Sequence, residues 1–300
     1  MGMYNQLLIN KTVMEEVVKY NRNVFIIWLD YKKPYDSVPH NWIIQSLELA
    51  KVPKNIVNAI KNIIRQWSAK MNLHTNGETL HMENINYRTG MMQGDTLSVI
   101  MFLLCFNPLS YLLRKTEGYQ VGIPGNRSVK ITHLAFVDDF KLFTNKISNA
   151  KQQLDIVTQF SNDIGMSFGE DKCGYIYVEK GKRKSLGNSI EINGVKIQEI
   201  EEESTYKYLG MEESISYNNK MNKDNILKEY KRRLRRIWAS ELNAYNKVIA
   251  TNMFAVPVVT YSFGVLRWTR EDVLNFDKTT RKIMNMNNSL NRRSDIHSIY

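Results

Sequence analysis

Apolar residues run without a break from Val24 to Leu29, rich in β-formers, and the run stops at Asp30, the pattern of a strand covered on both faces. Two helical stretches follow, Asn41 to Ala50 and Pro53 to Trp67, the second opened by a proline in its first turn. Asn76-Gly77 marks the tip of a hairpin. Beyond it, Thr96 to Lys115 is apolar on every side, which predicts a core helix. Ile131 to Val137 and Phe140 to Thr144 are short apolar runs separated only by Asp138-Asp139. Ala150, Leu154, Val157 and Ile164 mark one face of a helix that stops at Gly165, and Gly174 to Val178 predicts a further strand.

With the inserted hairpin set aside, the order is β-α-β-β-α-β. This predicts an α+β domain with a ferredoxin-like antiparallel sheet, helices on one face, and strands one and three as the central pair. Strands one and two run parallel in such a sheet, so the end of strand one and the tip of the hairpin joining strands two and three share an edge. Asp30 is therefore expected to meet Asp138 and Asp139. Downstream, Ser189 to Ile200 suggests a second hairpin at Asn193-Gly194, and Tyr206 to Met211 a short aromatic strand. From Asp224 the pattern turns helical, with Ile226, Leu227, Tyr230, Leu234 and Ile237 apolar and Lys228, Lys231, Arg232, Arg233, Arg235 and Arg236 basic. The polar stretch Ser216 to Asn222 sets the expected boundary between domains 1–215 and 216–300. Trp238, Trp268 and Tyr245 are expected in the core of the second.

Composition sharpens this. Three hundred residues with 43% hydrophobic content suffice for about two folded domains. Forty-one Lys and Arg against thirty Asp and Glu leave a formal charge of +11, which favours a polyanionic partner, although a plain soluble basic protein would show the same balance. Cys105 and Cys173 lack the spacing of a zinc site or a disulfide framework. The uncharged stretch Leu97 to Pro108 is too short to span a bilayer, and Met1 to Ile9 lacks a signal peptide's basic region and cleavage site. Gln6 stands where a myristoylation signal at Met1-Gly2 would need Ser or Thr. The expectation is a soluble intracellular protein without membrane partners.

Asp138-Asp139 is the sharpest local feature. Two-residue hairpins have no use for adjacent like charges, so a divalent cation would compensate them, and Asp30 would complete a set of hard oxygen ligands. An exposed acidic turn is the bland alternative, which the strand ending in Asp30 at the same edge disfavours.

Here the residues resemble the reverse transcriptases of non-LTR (LINE-type) retrotransposons. Leu29-Asp30-Tyr31-Lys32-Lys33-Pro34-Tyr35-Asp36-Ser37-Val38-Pro39-His40 resembles the first catalytic motif, Gln93-Gly94-Asp95-Thr96-Leu97-Ser98 the template and nucleotide-positioning motif, and Ala135-Phe136-Val137-Asp138-Asp139 the paired-aspartate motif. Gly165 to Lys172 is similar to the next motif and Tyr206-Lys207-Tyr208-Leu209-Gly210 to the primer grip. The motifs stand in the family's order over essentially the whole chain. The resemblance implies an RNA-directed DNA polymerase whose palm, with partial fingers, is 1–215 and whose helical thumb is 216–300. It implies two Mg2+ ions, with Mn2+ as a substitute, held by Asp30, Asp138, Asp139 and the Tyr31 carbonyl. It further implies that Tyr35 screens the sugar 2′ position, that Gln93, Gly94 and Lys172 serve the nucleotide, and that Tyr208, Leu209 and Gly210 grip the primer. Lys228, Lys231, Arg232, Arg235 and Arg236 would lie along an RNA template paired to a DNA primer. The nucleus or cytoplasm of a host cell is the expected location.

Two features depart from the family. Pro34 stands where alanine is usual and offers no backbone N–H to a triphosphate. The chain also begins just ahead of the first catalytic motif, without the upstream fingers segments and without an endonuclease, so a fragment or a remnant of a mobile element is expected. A catalytically silent remnant that binds RNA or an RNA–DNA hybrid is the competing reading. A nucleotide cyclase would need a Gly-Gly-acidic hairpin, which Phe136-Val137-Asp138-Asp139 does not supply.

Overall fold

The computed structural model describes residues 2–75, 78–122, 128–187, 190–192 and 195–287. They fall into two compact units, Glu16–Glu202 and Met1–Glu15 with Glu203–Tyr300. Helix α1 (Met3–Lys19) contributes to both. The hairpin tips expected at Asn76-Gly77 and Asn193-Gly194 lie outside the described residues.

In the larger unit, β1 (Val24–Leu29) is buried at all six positions, as its unbroken apolar run requires. Around it stand α2 (His40–Leu49), α3 (Lys54–Arg65), α4 (Thr96–Arg114), β2 (His133–Phe136), β3 (Asp139–Thr144), α5 (Ile147–Asp163), β4 (Gly174–Glu179), β5 (Ile190–Ile192) and β6 (Val195–Glu199). The strands line up in the order β5-β6-β4-β1-β3-β2. β1 runs antiparallel to β4 and β3, and β3 antiparallel to β2, so the sheet is mostly antiparallel with β1 and β3 inside it. The pair β5 and β6, expected beyond this unit, instead extends the sheet, with β6 parallel to β4. Gly174 makes room for the join, since a Cβ there would lie 2.9 Å from Ile200 Cγ1.

Phe25, Ile27 and Leu29 face a core supplied by α2 through α5, while Val24, Ile26 and Trp28 on the alternate face are fully buried as well. Both faces of β1 are thus covered. Helix α4 differs from its expectation. Met101, Phe102, Cys105, Phe106, Leu109 and Leu113 are buried, but Ile100, Leu103 and Tyr111 are 53%, 49% and 62% exposed. The chain stays helical through Pro108, and at 19 residues and a mean hydropathy of 1.8 the helix is long and apolar enough to cross a membrane by length and composition. Its inner stripe is packed in the core with the sheet.

The smaller unit is built on α6 (Asn219–Trp238), which buries Asn222, Ile226, Tyr230, Leu234 and Trp238, every fourth residue along one face. It begins ahead of Asp224 because the Asn218 side chain caps it, accepting from the Met221 N–H at 3.0 Å. The polar stretch read as a boundary is therefore the approach to this helix and its first turn. Short helices α7 (Ala244–Ala250) and α8 (Val256–Thr260) lead to α9 (Arg270–Met286), which opens with a Thr269/Asp272 capping box. Tyr230 meets Phe276 edge-on at 5.1 Å. The segment expected as one aromatic strand is a hairpin of β7 (Tyr206–Tyr208) and β8 (Met211–Glu213), because Leu209 and Gly210 take positive φ of 46° and 81° and close a two-residue turn. Trp238 is buried and Trp268 half-buried, but Tyr245 is 75% exposed, since α7 buries no residue in this unit.

Candidate active site

The ladder between β1 and β3 pairs Trp28 with Lys141 and Leu29 with Phe140. The ladder ends there, and Asp30 and Asp139 are the neighbouring residues of that last pair at the same edge of the sheet. On the other side Asp139 pairs with Phe136, so the hairpin closes through Val137 and Asp138. This corrects the expected tip: Asp139 is a strand residue, and Val137 takes its place in the turn. Val137 pays with a φ of 57°, a conformation that costs a β-branched residue about 1–3 kcal/mol.

The charges of the three carboxylates reach one another. Asp138 is raised above the ordinary carboxylate range by burial and by Asp30. Asp139 is pushed up to about 6 by burial first and then by Asp138 and Asp30. Its folded pKa lies above the unfolded one, so the folded state holds the proton more tightly, and stability falls as pH rises through the window from the ordinary value of 3.8 to about 6. Asp139→Asn should therefore stabilise the chain at pH 7.5 by about 1 kcal/mol after allowance for screening, or about 2 °C, and change little at pH 3.5. Thermal melts in a metal chelator at the two pH values measure this.

Asp30 is held from its other side by Gly165 to Lys172. The Gly169 N–H donates to the Asp30 carbonyl and the Lys32 N–H to the Ser167 carbonyl, each at 2.9 Å. These bonds flank Tyr31, so its own carbonyl is turned away from that bridge. Its side chain is buried, with the hydroxyl 2.9 Å from Ser161 Oγ and the ring stacked on Phe168 at 4.8 Å. Lys172 Nζ lies 3.2 Å from Asp30 Oδ2. Asp30, Lys32, Lys33, Asp171 and Lys172 line an open cleft of about 530 Å3.

Tyr35 sits in the turn Pro34–Ser37, half-buried, its ring stacked on Phe102 at 4.7 Å and 17°. Phe102 stacks in turn on Phe106, which meets Tyr31 and Phe140. Pro34 opens this turn at a position where a helical N–H has no partner in any case, after Lys33 at a φ of 48°. Gly90 presses on the turn so closely that a Cβ would lie 2.7 Å from the Asp36 carbonyl oxygen. Gln93 is exposed and donates to Asp36 Oδ1 at 3.3 Å, which ties it to the Tyr35 turn. Gly94 is demanded by its φ of 90° rather than by crowding, because nothing lies within 4 Å of its Cβ position.

The remaining predicted residues belong to the other compact unit. Tyr208 and Leu209 are buried, and Gly210 is exposed at the hairpin tip. Lys228, Arg232, Arg235 and Arg236 are exposed and Lys231 half-buried, with Arg232 held by Glu229 at 2.6 Å. Lys231 and Arg235 face Lys278 and Lys282 of α9 across a groove of about 310 Å3. Cys173, Gly169 and Asp36 were not singled out from sequence. Cys173 Sγ lies 3.5 Å from the Asp30 N–H, and only the family's motif spacing pointed near it.

Among the described residues no three His, Cys, Asp or Glu side chains stand close enough to chelate an ion as they are. The chemistry of the donor set nonetheless suits a divalent cation: three carboxylates stand toward one edge, Asp30 raises the proton affinity of Asp138, and Asp30 and Asp138 raise that of Asp139.

The three carboxylates thus lie toward one edge of a mostly antiparallel sheet, and their charges interact. Residues 3–212 match the family Reverse transcriptase (RNA-dependent DNA polymerase), and this chain belongs to it. Among curated proteins it is similar to the Retrovirus-related Pol polyprotein from type-1 retrotransposable element R2 of Nasonia vitripennis, 25% identical over 93% of this chain and 26% of that protein. It is also similar to the Pol polyprotein from type-2 retrotransposable element R2DM of Drosophila melanogaster, 26% identical over 67% of this chain and 19% of that protein. The chain thus spans about a quarter or less of the length of these relatives. Among solved structures, apo telomerase from Candida tropicalis matches 95% of this chain and 50% of its own length, at a TM-score of 0.48 and 14% identity.

Proposed function

We propose that this chain is the palm and thumb of an RNA-directed DNA polymerase of a non-LTR retrotransposon. In this reading the four strands β4-β1-β3-β2 are a ferredoxin-like palm, and the basic helices α6 and α9 belong to the thumb. The observation that carries it is the ladder that ends at Leu29 and Phe140, which leaves Asp30 and Asp139 next along the two paired segments, with Asp138 at the adjoining turn. Asp30 and Asp138, supported by Asp139 and the Tyr31 carbonyl, would hold two Mg2+ ions. Those ions, when bound, supply activation of the primer 3′-hydroxyl and neutralisation of the departing pyrophosphate. The protein's own part is positioning. An RNA template, a DNA primer and deoxynucleoside triphosphates are the substrates this implies.

Tyr35 would select the sugar. Its ring is stacked on Phe102, so it would present a wall rather than a hydrogen bond to the 2′ position. Tyr35→Val is expected to raise incorporation of UTP relative to dTTP by about 10- to 100-fold on poly(rA)/oligo(dT). Unchanged discrimination would remove Tyr35 from the nucleotide site, and no Mg2+-dependent addition by either protein would count against the polymerase reading itself.

The second reading, a silent module that binds RNA or an RNA–DNA hybrid, is favoured by the four-cation groove of Lys231, Arg235, Lys278 and Lys282. It predicts salt-sensitive binding without copying.

A further inference from the structure

The Asp30 carboxylate already has a cation beside it, and the pair is built into the backbone. Lys172 ends the short 3₁₀ turn Glu170–Lys172. Its N–H donates to the Gly169 carbonyl at 2.8 Å, and the Gly169 N–H donates in turn to the Asp30 carbonyl at 2.9 Å. The peptide that carries the ammonium is thus fastened to the peptide that carries the carboxylate. Gly169 leaves space for the pair, since a Cβ there would stand 3.3 Å from Asp30 Oδ2 and 3.7 Å from Asp171 Oδ1. The influence of Lys172 extends past Asp30: its charge opposes the burial and repulsion that raise Asp138 and Asp139. The Lys172 side chain is 66% exposed, so its ammonium can leave without unpacking the core.

We propose that Lys172 is an internal counter-ion of the Asp30, Asp138 and Asp139 group, standing in the place of a divalent cation, and that a metal ion enters by displacing it. This rests on the reading of the three carboxylates as a metal site. Ammonium and metal would compete for the Asp30 carboxylate, because a positive charge 3.2 Å from Oδ2 opposes a second cation beside it. The ion pair therefore sets metal affinity: it lowers the repulsion of the metal-free site and weakens entry of the ion by the same interaction.

The test is a Mn2+ titration of the whole chain followed by the electron paramagnetic resonance signal of the free ion. Wild type, Lys172→Gln, Lys172→Arg and Asp138→Asn are compared, with thermal melts to confirm folding. Lys172→Gln is expected to tighten Mn2+ binding about three- to tenfold, because it removes the competitor. Lys172→Arg, which keeps the charge, should stay within about twofold of wild type, and Asp138→Asn should weaken binding. If Lys172→Gln leaves Mn2+ affinity unchanged or lowers it while Asp138→Asn still weakens it, Lys172 is not the counter-ion and the metal site stands. If no variant shows Mn2+ binding that depends on Asp138, the metal reading fails and this inference falls with it.

Discussion

Asp138→Asn should reduce Mg2+-dependent primer extension at least about a thousandfold while leaving the fold intact. Asp138 lies in a turn, half-buried, and its charge is disfavoured by burial and by Asp30. An isosteric neutral side chain removes that repulsion, so the melting temperature at neutral pH should hold or rise. Binding of an RNA–DNA hybrid should keep its affinity and its salt dependence, because in the proposed reading cations elsewhere on the chain would supply the phosphate contacts. Loss of copying with retained binding separates the chemistry from the scaffold. Equal extension by wild type and variant would remove Asp138 from catalysis.

The second large effect is structural. Phe102 is fully buried, with Tyr35 stacked on it at 4.7 Å and Phe106 at 4.6 Å. Phe102→Ala should cost about 3–5 kcal/mol by cavity formation, with about 1 kcal/mol more for each aromatic pair lost. It should also free the Tyr35 ring, so that any protein that still folds incorporates ribonucleotides more readily than wild type. Phe102→Leu, which preserves most of the volume, should recover most of the stability and only part of the discrimination. Urea denaturation measures the first effect, and UTP against dTTP incorporation measures the second. A loss below about 1 kcal/mol would mean that the aromatic column does not support the site.

The central strands were legible because their signals are strong and local. The unbroken run Val24 to Leu29 demands burial on both faces, and the order of elements left few topologies that bring Asp30 toward Asp138 and Asp139. The turn register was not legible, because a strained Val137 replaces the Asp that turn propensity favours there; tertiary pairing of Phe136 with Asp139 decides it. Helix α4 was read as buried all round because its outer Ile100, Leu103 and Tyr111 are as apolar as its inner face. The attachment of β6 to β4 escaped notice because parallel pairing leaves no turn signal in the sequence. Helix α1 could have been read: Leu7, Val13, Met14 and Val17 are buried at helical spacing, yet the polar Gln6 and Asn10 buried beside them blur the stripe. The ion pair of Lys172 with Asp30 had no sequence signal of its own beyond the motif that ends in lysine.

The most direct measurement is addition of dTTP to oligo(dT) on poly(rA) by this chain across a Mg2+ titration. A ladder of products that appears and saturates with Mg2+, and that Mn2+ also supports, is expected. Salt-sensitive binding of the hybrid with no nucleotide added at any concentration of either ion would contradict the polymerase reading, and would leave the chain as a module that holds nucleic acid without copying it.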